Sequence, residues 1–282
     1  MSHNHGSDQK LSIAVFINIL LTVVQVVAGV LSGSLSLMAD ALHNLSDAGA
    51  IVVAIVARKI GNKAATTSMT YGYKRAEIIG VLINSTTLII VGLYLIAEAI
   101  DKFFNPTPID GWIVFYVAGI ALVIDVVTAM LTYSAGAKEN MNIKAAFIHN
   151  VSDALASLVV IIAGLFIIYF QLYIVDVIAT VMISTYVIFH GITLLKKSIF
   201  IIMQAVPEGI QLHEVKEALE DIEGIDRAHH IHIWQLDHKK LFLEAHILLD
   251  KNLDSDALKT EIRELLEKRF DITHSTIETR EN

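Results

Sequence analysis

The chain has 282 residues, 54% of them hydrophobic, with no cysteine and a formal net charge of −8 at pH 7. Without cysteine it can form neither disulfides nor thiolate metal sites, so nitrogen and oxygen must hold any bound metal. The acidic excess lies in residues 207–282, which carry 18 acidic and 10 basic side chains, and this charge argues against nucleic acid as a partner.

Six long apolar runs fill the chain before residue 207. A helix needs roughly 20 apolar residues to cross about 30 Å of hydrocarbon, and each run is about that long. The runs cover residues 11–31, 36–57, 78–100, 112–133, 145–170 and 172–195. The first run lacks a small-residue cleavage site, so we expect a retained helix and not a signal peptide. We therefore predict a six-transmembrane-helix bundle over 11–199, preceded by a cytoplasmic tail at 1–10.

Basic side chains in the short loops predict the orientation of the bundle, because lysine and arginine favour the cytoplasmic side. The loops of one side carry Lys102 alone. The loops and ends of the other side carry lysine or arginine at positions 10, 58, 59, 63, 74, 75, 138, 144, 196 and 197. We therefore expect both termini in the cytoplasm, with the chain integral to a bacterial inner membrane.

Two of the predicted spans carry almost the same polar hexapeptide. Residues 43–48 read His-Asn-Leu-Ser-Asp-Ala, and residues 149–154 read His-Asn-Val-Ser-Asp-Ala. The His and the Asp of each copy lie on one helix face, and the two spans run in opposite directions, so both copies can turn toward one ion. Two nitrogens and two oxygens suit tetrahedral Zn²⁺, whereas Mg²⁺ and Ca²⁺ prefer oxygen alone. The candidate ligands are His43, Asp47, His149 and Asp153.

The duplicated pairs also have a structural interpretation, in which each His bonds to an Asp and locks two helices together. Two carboxylates buried close together require a cation or protons, however, which favours the metal site. Asp40 and Asp125 are accessory candidates, because ionisable groups inside a bilayer usually mark functional positions. Asp40 is either a gateway or proton-binding group or a solvated acid near the outer side. Asp125 either lines the same cavity or bonds to Asn18, Gln25 or Asn84.

Residues 200–206 form a linker, after which the sequence indicates a small α+β domain at 207–282, called the tail domain below. Apolar spacing around Val215 and Leu219 predicts one helix, and residues 225–236 and 241–249 predict two strands. A second helix follows a cap near Asp254, and residues 272–278 predict a third strand. The predicted order is αββαβ. A core this small favours dimerisation.

Four motifs in sequence order resemble the cation diffusion facilitator family, in its zinc-transporting branch. They are Gly-Ser-Leu-Ser-Leu-Met-Ala-Asp-Ala at 33–41 leading into the first hexapeptide, Thr-Tyr-Gly-Tyr-Lys-Arg-Ala-Glu at 70–77, the second hexapeptide, and His-His-Ile-His-Ile-Trp at 229–234. The resemblance implies a homodimer that exchanges Zn²⁺ for protons, with a six-helix bundle and a ferredoxin-like tail domain in each subunit. It also implies that His43, Asp47, His149 and Asp153 are the transport-site ligands.

The sequence departs from the family pattern in three places. Residues 69–73 offer no Asp or His for the further loop site that some members carry, so we expect that site to be absent. Gln25 and Asp125 stand where members often have Glu and Asn. Met203 and Gln204 stand where an acidic residue often precedes Ala-Val-Pro, which weakens the expectation of a charge interlock at that position.

The tail domain offers candidates for a second, cytoplasmic metal site. Strand alternation predicts His230 and His232 on one face and His229 on the other, with His246 in the neighbouring strand. By resemblance, His229 and His246 match positions that bind cytoplasmic metal in related proteins. The alternative is a set of exposed histidines on an open sheet. The full candidate set is His229, His232, His246, His274 and Glu278.

These features predict an exporter of divalent metal, with Zn²⁺ as the first candidate, that works by alternating access around a midplane site. Metal requires ionised carboxylates and neutral imidazoles, so binding expels protons and permits antiport. Two other functions are considered. One is a metal sensor whose spans only anchor the tail domain. The other is an intramembrane metallohydrolase, but no His-Glu-x-x-His motif occurs and four protein ligands leave no position for water, so we expect no enzyme.

Overall fold

The computed structural model describes the backbone of residues 5–134, 141–237, 240–249 and 255–281. Within its helices the side chains are described except at positions 5–18, 47, 48, 50, 51, 54, 55, 58, 132, 141–146, 149 and 255. The chain divides into two compact units. The first comprises Met1–Val53 with Ile83–Leu194, and the second comprises Ala54–Leu82 with Leu195–Asn282.

Six long helices occupy the region of the six apolar runs. They are α1 (His5–Ser32), α2 (Leu35–Gly61), α3 (Ala76–Phe104), α4 (Gly111–Ser134), α5 (Met141–Phe170) and α6 (Ile174–Ile202). Among the described residues, four of them, α3 to α6, are long and apolar enough to cross a membrane. The apolar stretch described in α1, Ile19–Ser32, is shorter. In α2 the middle of the helix is polar, with Asp40, His43 and Asn44.

Large apolar side chains cover the outside of these helices. Leu31 and Phe104 are each 73% exposed, and Phe189 is 71% exposed. Inside the first unit, Leu37, Leu95 and Val160 belong to a continuous buried core. An apolar exterior around a packed interior is what a helix bundle in hydrocarbon requires, because lipid and not water then covers the exposed side chains.

A buried carboxylate fixes the start of α2. The backbone turns at Gly33, whose φ of +73° favours glycine, so α1 ends and a new helix begins at once. Asp176 of α6 is fully buried and accepts hydrogen bonds from the Leu35 N–H at 2.9 Å and the Ser36 N–H at 3.2 Å. The Ser34 and Ser36 hydroxyls each donate to the same carboxylate at 2.6 Å. A negative group here satisfies the orphan amides of the first turn and complements the helix dipole, which sets where α2 begins.

Two glycines let α4 and α5 approach closely. A Cβ at Gly111 would lie 2.8 Å from Ile168 Cγ1 and 3.0 Å from the Gly164 carbonyl oxygen. A Cβ at Gly164 would lie 3.2 Å from the Phe115 backbone nitrogen. Small residues at such crossings allow backbone contact between membrane helices. This contact fixes α5, which carries the second hexapeptide, against α4, which carries Asp125.

The tail domain has the predicted order of elements. It contains α7 (Leu212–Glu220), β1 (Ile225–Gln235), β2 (Leu241–Leu249), α8 (Ser255–Phe270) and β3 (His274–Glu281). The sheet order is β1-β2-β3, with β1 antiparallel and β3 parallel to β2. Leu219, Ile247, Ile262 and Leu266 are fully buried between the helices and one sheet face. The third strand begins two residues later than predicted, at His274.

The predicted alternation of His229, His230 and His232 along β1 is wrong. The register against β2 shifts between His229 and His232, and His230 has a φ of +54°, in the left-handed region. A bulge of this kind inserts an extra residue and re-aims the side chains around it. Strict alternation therefore fails at the point where the histidines lie.

Candidate metal-binding site

One side chain from each hexapeptide meets its counterpart inside the first unit. His43 Nε2 of α2 lies 2.6 Å from Asp153 Oδ1 of α5, and the two side chains are 6% and 10% exposed. The contact joins the His of the first copy to the Asp of the second. A His–Asp pair this close and this buried supplies one nitrogen and one oxygen ligand at a single point.

The other two predicted ligands, Asp47 and His149, have side chains that lie outside the described residues. Among the side chains that are described, no group of three or more His, Asp or Glu residues could hold a metal ion. The described portion of the predicted site is therefore the His43–Asp153 pair.

The two helices are paired with a regular register. Asp40 and His43 lie one turn apart on α2, and Ser157 and Asp153 lie one turn apart on α5. Ser157 Oγ donates to Asp40 Oδ2 at 3.3 Å, so the Asp40–Ser157 contact stands one turn from the His43–Asp153 contact. The helices are thus antiparallel along this face, and polar side chains meet at successive turns.

Asp40 belongs to a buried hydrogen-bonded network. It is 1% exposed and accepts a hydrogen bond from Gln25 Nε2 of α1 at 2.7 Å. Asn44 Nδ2 in turn donates to Gln25 Oε1 at 2.8 Å. The interpretation of Asp40 as a solvated acid near the outer side is therefore wrong. Its other interpretation, as a gateway or proton-binding group, is compatible with this burial.

Asp125 of α4 joins the same network through Ser157. The Ser157 hydroxyl contacts Asp125 Oδ2 at 3.0 Å as well as Asp40, and Asp125 is 8% exposed. Three carboxylates, those of Asp40, Asp125 and Asp153, are therefore buried on neighbouring turns beside one imidazole. Such a cluster is costly unless protons or a cation offset the negative charge.

Sequence reasoning missed two residues of this region. Ser157 lies four residues after Asp153, which is the helical spacing that places both on one face, so its position could have been found from the sequence. The Tyr186 ring of α6 lies edge-on to the His43 ring with 5.8 Å between centroids. Nothing in the sequence distinguishes Tyr186 from other tyrosines of the spans.

The tail domain gathers several histidines around β2. His246 pairs in register with His229 on one side and with Glu278 on the other. The ring centroids of His229 and His246 are 5.5 Å apart, and His246 Nε2 lies 3.4 Å from Glu278 Oε2. Because of the bulge, the His230 ring also stacks on His246, at 5.0 Å. The three predicted residues His229, His246 and Glu278 therefore lie side by side across the sheet.

The electrostatics of this group favour a neutral imidazole beside an ionised carboxylate. Desolvation, followed by the neighbouring His246, lowers the pKa of His229 below its ordinary value. The His229 Nδ1 atom is buried without a hydrogen-bond partner among the described residues. Arg280 donates to Glu278 Oε1 at 2.7 Å and lowers the pKa of that carboxyl. Both protonation states are those that a metal ligand needs.

The other two tail candidates lie further out. The exposed His232 contacts the ring of His230 at 5.3 Å. His274 pairs with Phe242, and their ring centroids are 4.6 Å apart. Since Phe242 precedes His246 by four strand residues, His274 lies about 13 Å along the sheet from Glu278. The sheet therefore brings His229, His246 and Glu278 together but not His274.

Known families match both parts of the chain. The family model described as the cation efflux transmembrane domain matches residues 11–203, and that of the cation efflux protein, cytoplasmic domain, matches residues 207–280. A "Cadmium, cobalt and zinc/H(+)-K(+) antiporter" of Bacillus subtilis is 34% identical over 98% of this chain and 90% of its own length.

Two further relatives and one solved structure are similar to the chain. "Zinc transporter ZitB" of Pectobacterium atrosepticum is 32% identical over 99% of this chain and 88% of its own. "Metal cation efflux system protein CzcD" of Cupriavidus metallidurans is 33% identical over 98% and 88% respectively. A metal-bound C-terminal domain of the CzcD transporter is 30% identical over 25% of this chain and 99% of its own, with a TM-score of 0.24.

The matches cover the spans with their polar hexapeptides and the tail domain with its histidines. A family model that covers most of the chain agrees with apolar helices built to cross a membrane and with a small cytoplasmic domain that carries a three-stranded sheet. The chain therefore belongs to the cation efflux, or cation diffusion facilitator, family, and it is an integral membrane transporter of divalent metal cations and not an enzyme.

Proposed function

We propose that the protein exports Zn²⁺ from the cytoplasm in exchange for protons, using His43, Asp47, His149 and Asp153 as ligands. The observation that carries the proposal is the 2.6 Å contact between His43 and Asp153, which joins the two copies of the repeated hexapeptide. A structural lock between the two helices would form the same contact. The metal site is favoured because Asp40 and Asp125 are buried close to this pair and their negative charge requires protons or a cation.

The helical register supports the full set of four ligands. Asp40–Ser157 and His43–Asp153 are paired on successive turns of α2 and α5. One turn further along the same faces, the sequence carries Asp47 on α2 and His149 on α5. We propose that these two complete the site with a second imidazole and a second carboxylate. Two nitrogens and two oxygens favour Zn²⁺ over the hard cations Mg²⁺ and Ca²⁺.

Proton coupling follows from the same contact. When His43 and Asp153 share a hydrogen bond, the proton between them occupies the positions that a metal ion would use. Zinc binding requires that proton to leave, and a proton that returns restores the His–Asp bond and weakens the zinc ligands. Asp40 and Asp125, bridged by Ser157, form the neighbouring acids through which we propose the proton moves.

The remaining architecture is proposed as follows. All six long helices span the membrane within residues 11–199, with the tail at 1–10 and the domain at 207–282 both in the cytoplasm of a bacterial inner membrane. Residues 200–206 link the bundle to the tail domain, whose αββαβ order suits a ferredoxin-like fold. Two chains form a homodimer, as the small tail-domain core favours. Alternating access then moves the site between the two sides.

In the tail domain we propose that His229, His246 and Glu278 move together to bind a second zinc ion, because in the structure no described group of three such residues is placed to hold one. The proposal is supported by their adjacency across three strands and by the buried, unbonded Nδ1 of His229. The exposed His232 extends this group through His230. His274, which the strand register places about 13 Å along the sheet from Glu278, is not part of this proposed site.

Flux into proteoliposomes tests the proposed function. We expect zinc uptake by the wild type to follow an imposed proton gradient and to collapse when an ionophore dissipates it at equal pH on both sides. Asp153→Ala should abolish uptake, whereas the matched control Asp101→Ala, which removes an exposed carboxylate of α3, should retain it. Uptake that persists without the gradient would reject proton coupling. Uptake that persists in Asp153→Ala would reject the site and favour a sensor that the spans only anchor.

A further inference from the structure

A cavity of about 510 Å³ lies within the second unit, and none of its lining residues is a proposed metal ligand. Its walls come from the segment between α2 and α3, from the residues after α6 and from β1 of the tail domain. Tyr71, Tyr73, Arg75, Gln204 and Trp234 supply its polar and aromatic lining. The cavity combines one guanidinium with two phenols and an indole.

The Nε atom of the Arg75 guanidinium has no hydrogen-bond partner among the described residues. This atom is also shut off from solvent. A buried donor left unbonded is unfavourable, and more so when it carries a charge. The described cavity lining contains no Asp or Glu, and the neutral Gln204 is its only side-chain amide. The described lining of the cavity therefore contains one cation, Arg75, and no anion that could pair with it.

The shape and chemistry of the cavity match a phosphate that carries an apolar body. The planar fork of arginine binds phosphate oxygens through two parallel hydrogen bonds. Met69, Ile79 and Leu236 line the rest of the cavity with apolar surface. A small hydrated anion would leave that surface in water, whereas the glycerol and upper acyl chain of a lipid would cover it.

The place of Arg75 in the chain puts the cavity at headgroup level. Arg75 directly precedes α3, whose candidate span begins at Ala76. Tyrosine and tryptophan concentrate at this boundary because their rings are apolar and their tips polar. The zwitterionic headgroup of phosphatidylcholine carries a choline cation that offsets the attraction of its phosphate to Arg75, whereas a headgroup with net negative charge has no such cation.

We propose that this cavity is a binding site for an anionic phospholipid, whose phosphate is held by Arg75 and whose glycerol backbone lies against Tyr71, Tyr73 and Trp234. The site is separate from metal transport, so it stands whether or not the proposed ligands are correct. It gives the buried Arg75 Nε atom a partner that the described residues do not supply.

Trp234 provides the probe, since the chain has only one other tryptophan, Trp112. We would place full-length Trp112→Phe protein in phosphatidylcholine vesicles that contain a minor fraction of phosphatidylglycerol, brominated high on its acyl chain. Bromine quenches indole fluorescence on contact. We expect phosphatidylglycerol to quench Trp234 with about fivefold higher apparent affinity than phosphatidylcholine brominated at the same position. Equal quenching by both lipids would overturn the proposal.

Variants test whether Arg75 causes the preference for phosphatidylglycerol over phosphatidylcholine. Arg75→Gln should remove it, and Arg75→Lys, which keeps the charge but loses the fork, should retain part of it. The matched control Lys59→Gln removes an exposed charge of α2 and should leave the preference unchanged. If Lys59→Gln lowers the preference as far as Arg75→Gln, general surface attraction explains the result. If added inorganic phosphate abolishes the quenching of Trp234 by brominated phosphatidylglycerol, the site binds a free anion and the lipid assignment is wrong.

Discussion

The polar side chains of the membrane helices and those of the tail domain are held in different ways. On α2 and α5 the described members of the cluster are buried. Gln25 and Ser157 donate hydrogen bonds to Asp40, and Asn44 donates to Gln25. On the sheet, His229, His230 and His246 contact one another mainly as stacked or edge-on rings. The membrane cluster is buried and hydrogen-bonded to neighbouring side chains, whereas the tail cluster is partly exposed to water.

This difference follows from the surroundings. Within a bilayer no water is present to hydrogen-bond a buried carboxylate. Each such group must therefore be hydrogen-bonded by the protein, protonated, or bound to a metal ion. On a partly exposed sheet face, water can form the hydrogen bonds that the protein does not supply. The membrane cluster should therefore depend sharply on every member, and the tail cluster should tolerate change.

The largest expected effect is at the two ligands whose side chains are not described. Asp47→Ala and His149→Ala should each lower zinc flux by more than about hundredfold, because loss of a metal ligand exceeds the effect of losing a group that supports one. Flux into proteoliposomes at matched protein density measures this. Leu45→Ala, an exposed apolar change on the same turn of α2, is the control. Near-normal flux in either variant would show that the changed residue is not a required ligand. It would also contradict the expectation that the membrane cluster is more sensitive to substitution than the tail cluster.

The next effect concerns the network beside the ligands. Ser157→Ala removes the hydroxyl that contacts both Asp40 and Asp125, and we expect it to lower flux by about tenfold, within the range for groups that support a metal site. Thr193→Ala, which removes an exposed hydroxyl from α6, should leave flux unchanged. If Ser157→Ala changes the dependence of flux on the proton gradient more than its dependence on zinc, the network carries protons. An unchanged flux would mean that the bridge has only a packing role.

A smaller effect is expected in the tail domain. His246→Ala removes the central ring of the His229–His246–Glu278 group, and zinc bound per chain should fall while flux changes by less than about threefold, because the group is half exposed and water can replace a lost contact. Zinc content after dialysis, measured beside flux, separates the two results. His213→Ala on α7 is the matched histidine control. A flux loss as large as that of Asp47→Ala would show that the tail site is part of the transport cycle.

The sequence predicted the features that follow from hydrophobic periodicity and from composition. Strand β2 is observed at Leu241–Leu249, as predicted, and α5 ends at Phe170, as the apolar run does. The meeting of the two hexapeptides was predicted from one helix face and opposite directions, and the contact between His43 and Asp153 agrees with it. Whether Asp47 and His149 join them stays a prediction.

Features that depend on one unusual residue or on tertiary pairing were not predicted. A positive φ is usually signalled by glycine, and His230 adopts one without that signal. The sequence therefore did not predict the bulge or the altered order of the histidines. The sequence also does not show that Asp176, at the start of the sixth run, accepts four hydrogen bonds from the start of α2. Such pairing arises only when distant segments pack, and local pattern carries no information about it.

The effect of pH on the tail site is confined to zinc binding by that site. Because the pKa of His229 lies below the ordinary value of about 6.5, its ring is neutral at and above that pH and free to bind zinc. As pH falls further, protonation competes with the metal, and affinity should drop by up to about tenfold per pH unit for this one group. Calorimetric zinc titration of the Asp47→Ala, Asp153→Ala double variant, with the membrane ligands removed, isolates the tail site. Adding His229→Ala should weaken binding at neutral pH and flatten the pH dependence. A pH dependence that is equally steep without His229 would assign the proton to another group and leave His229 outside the site.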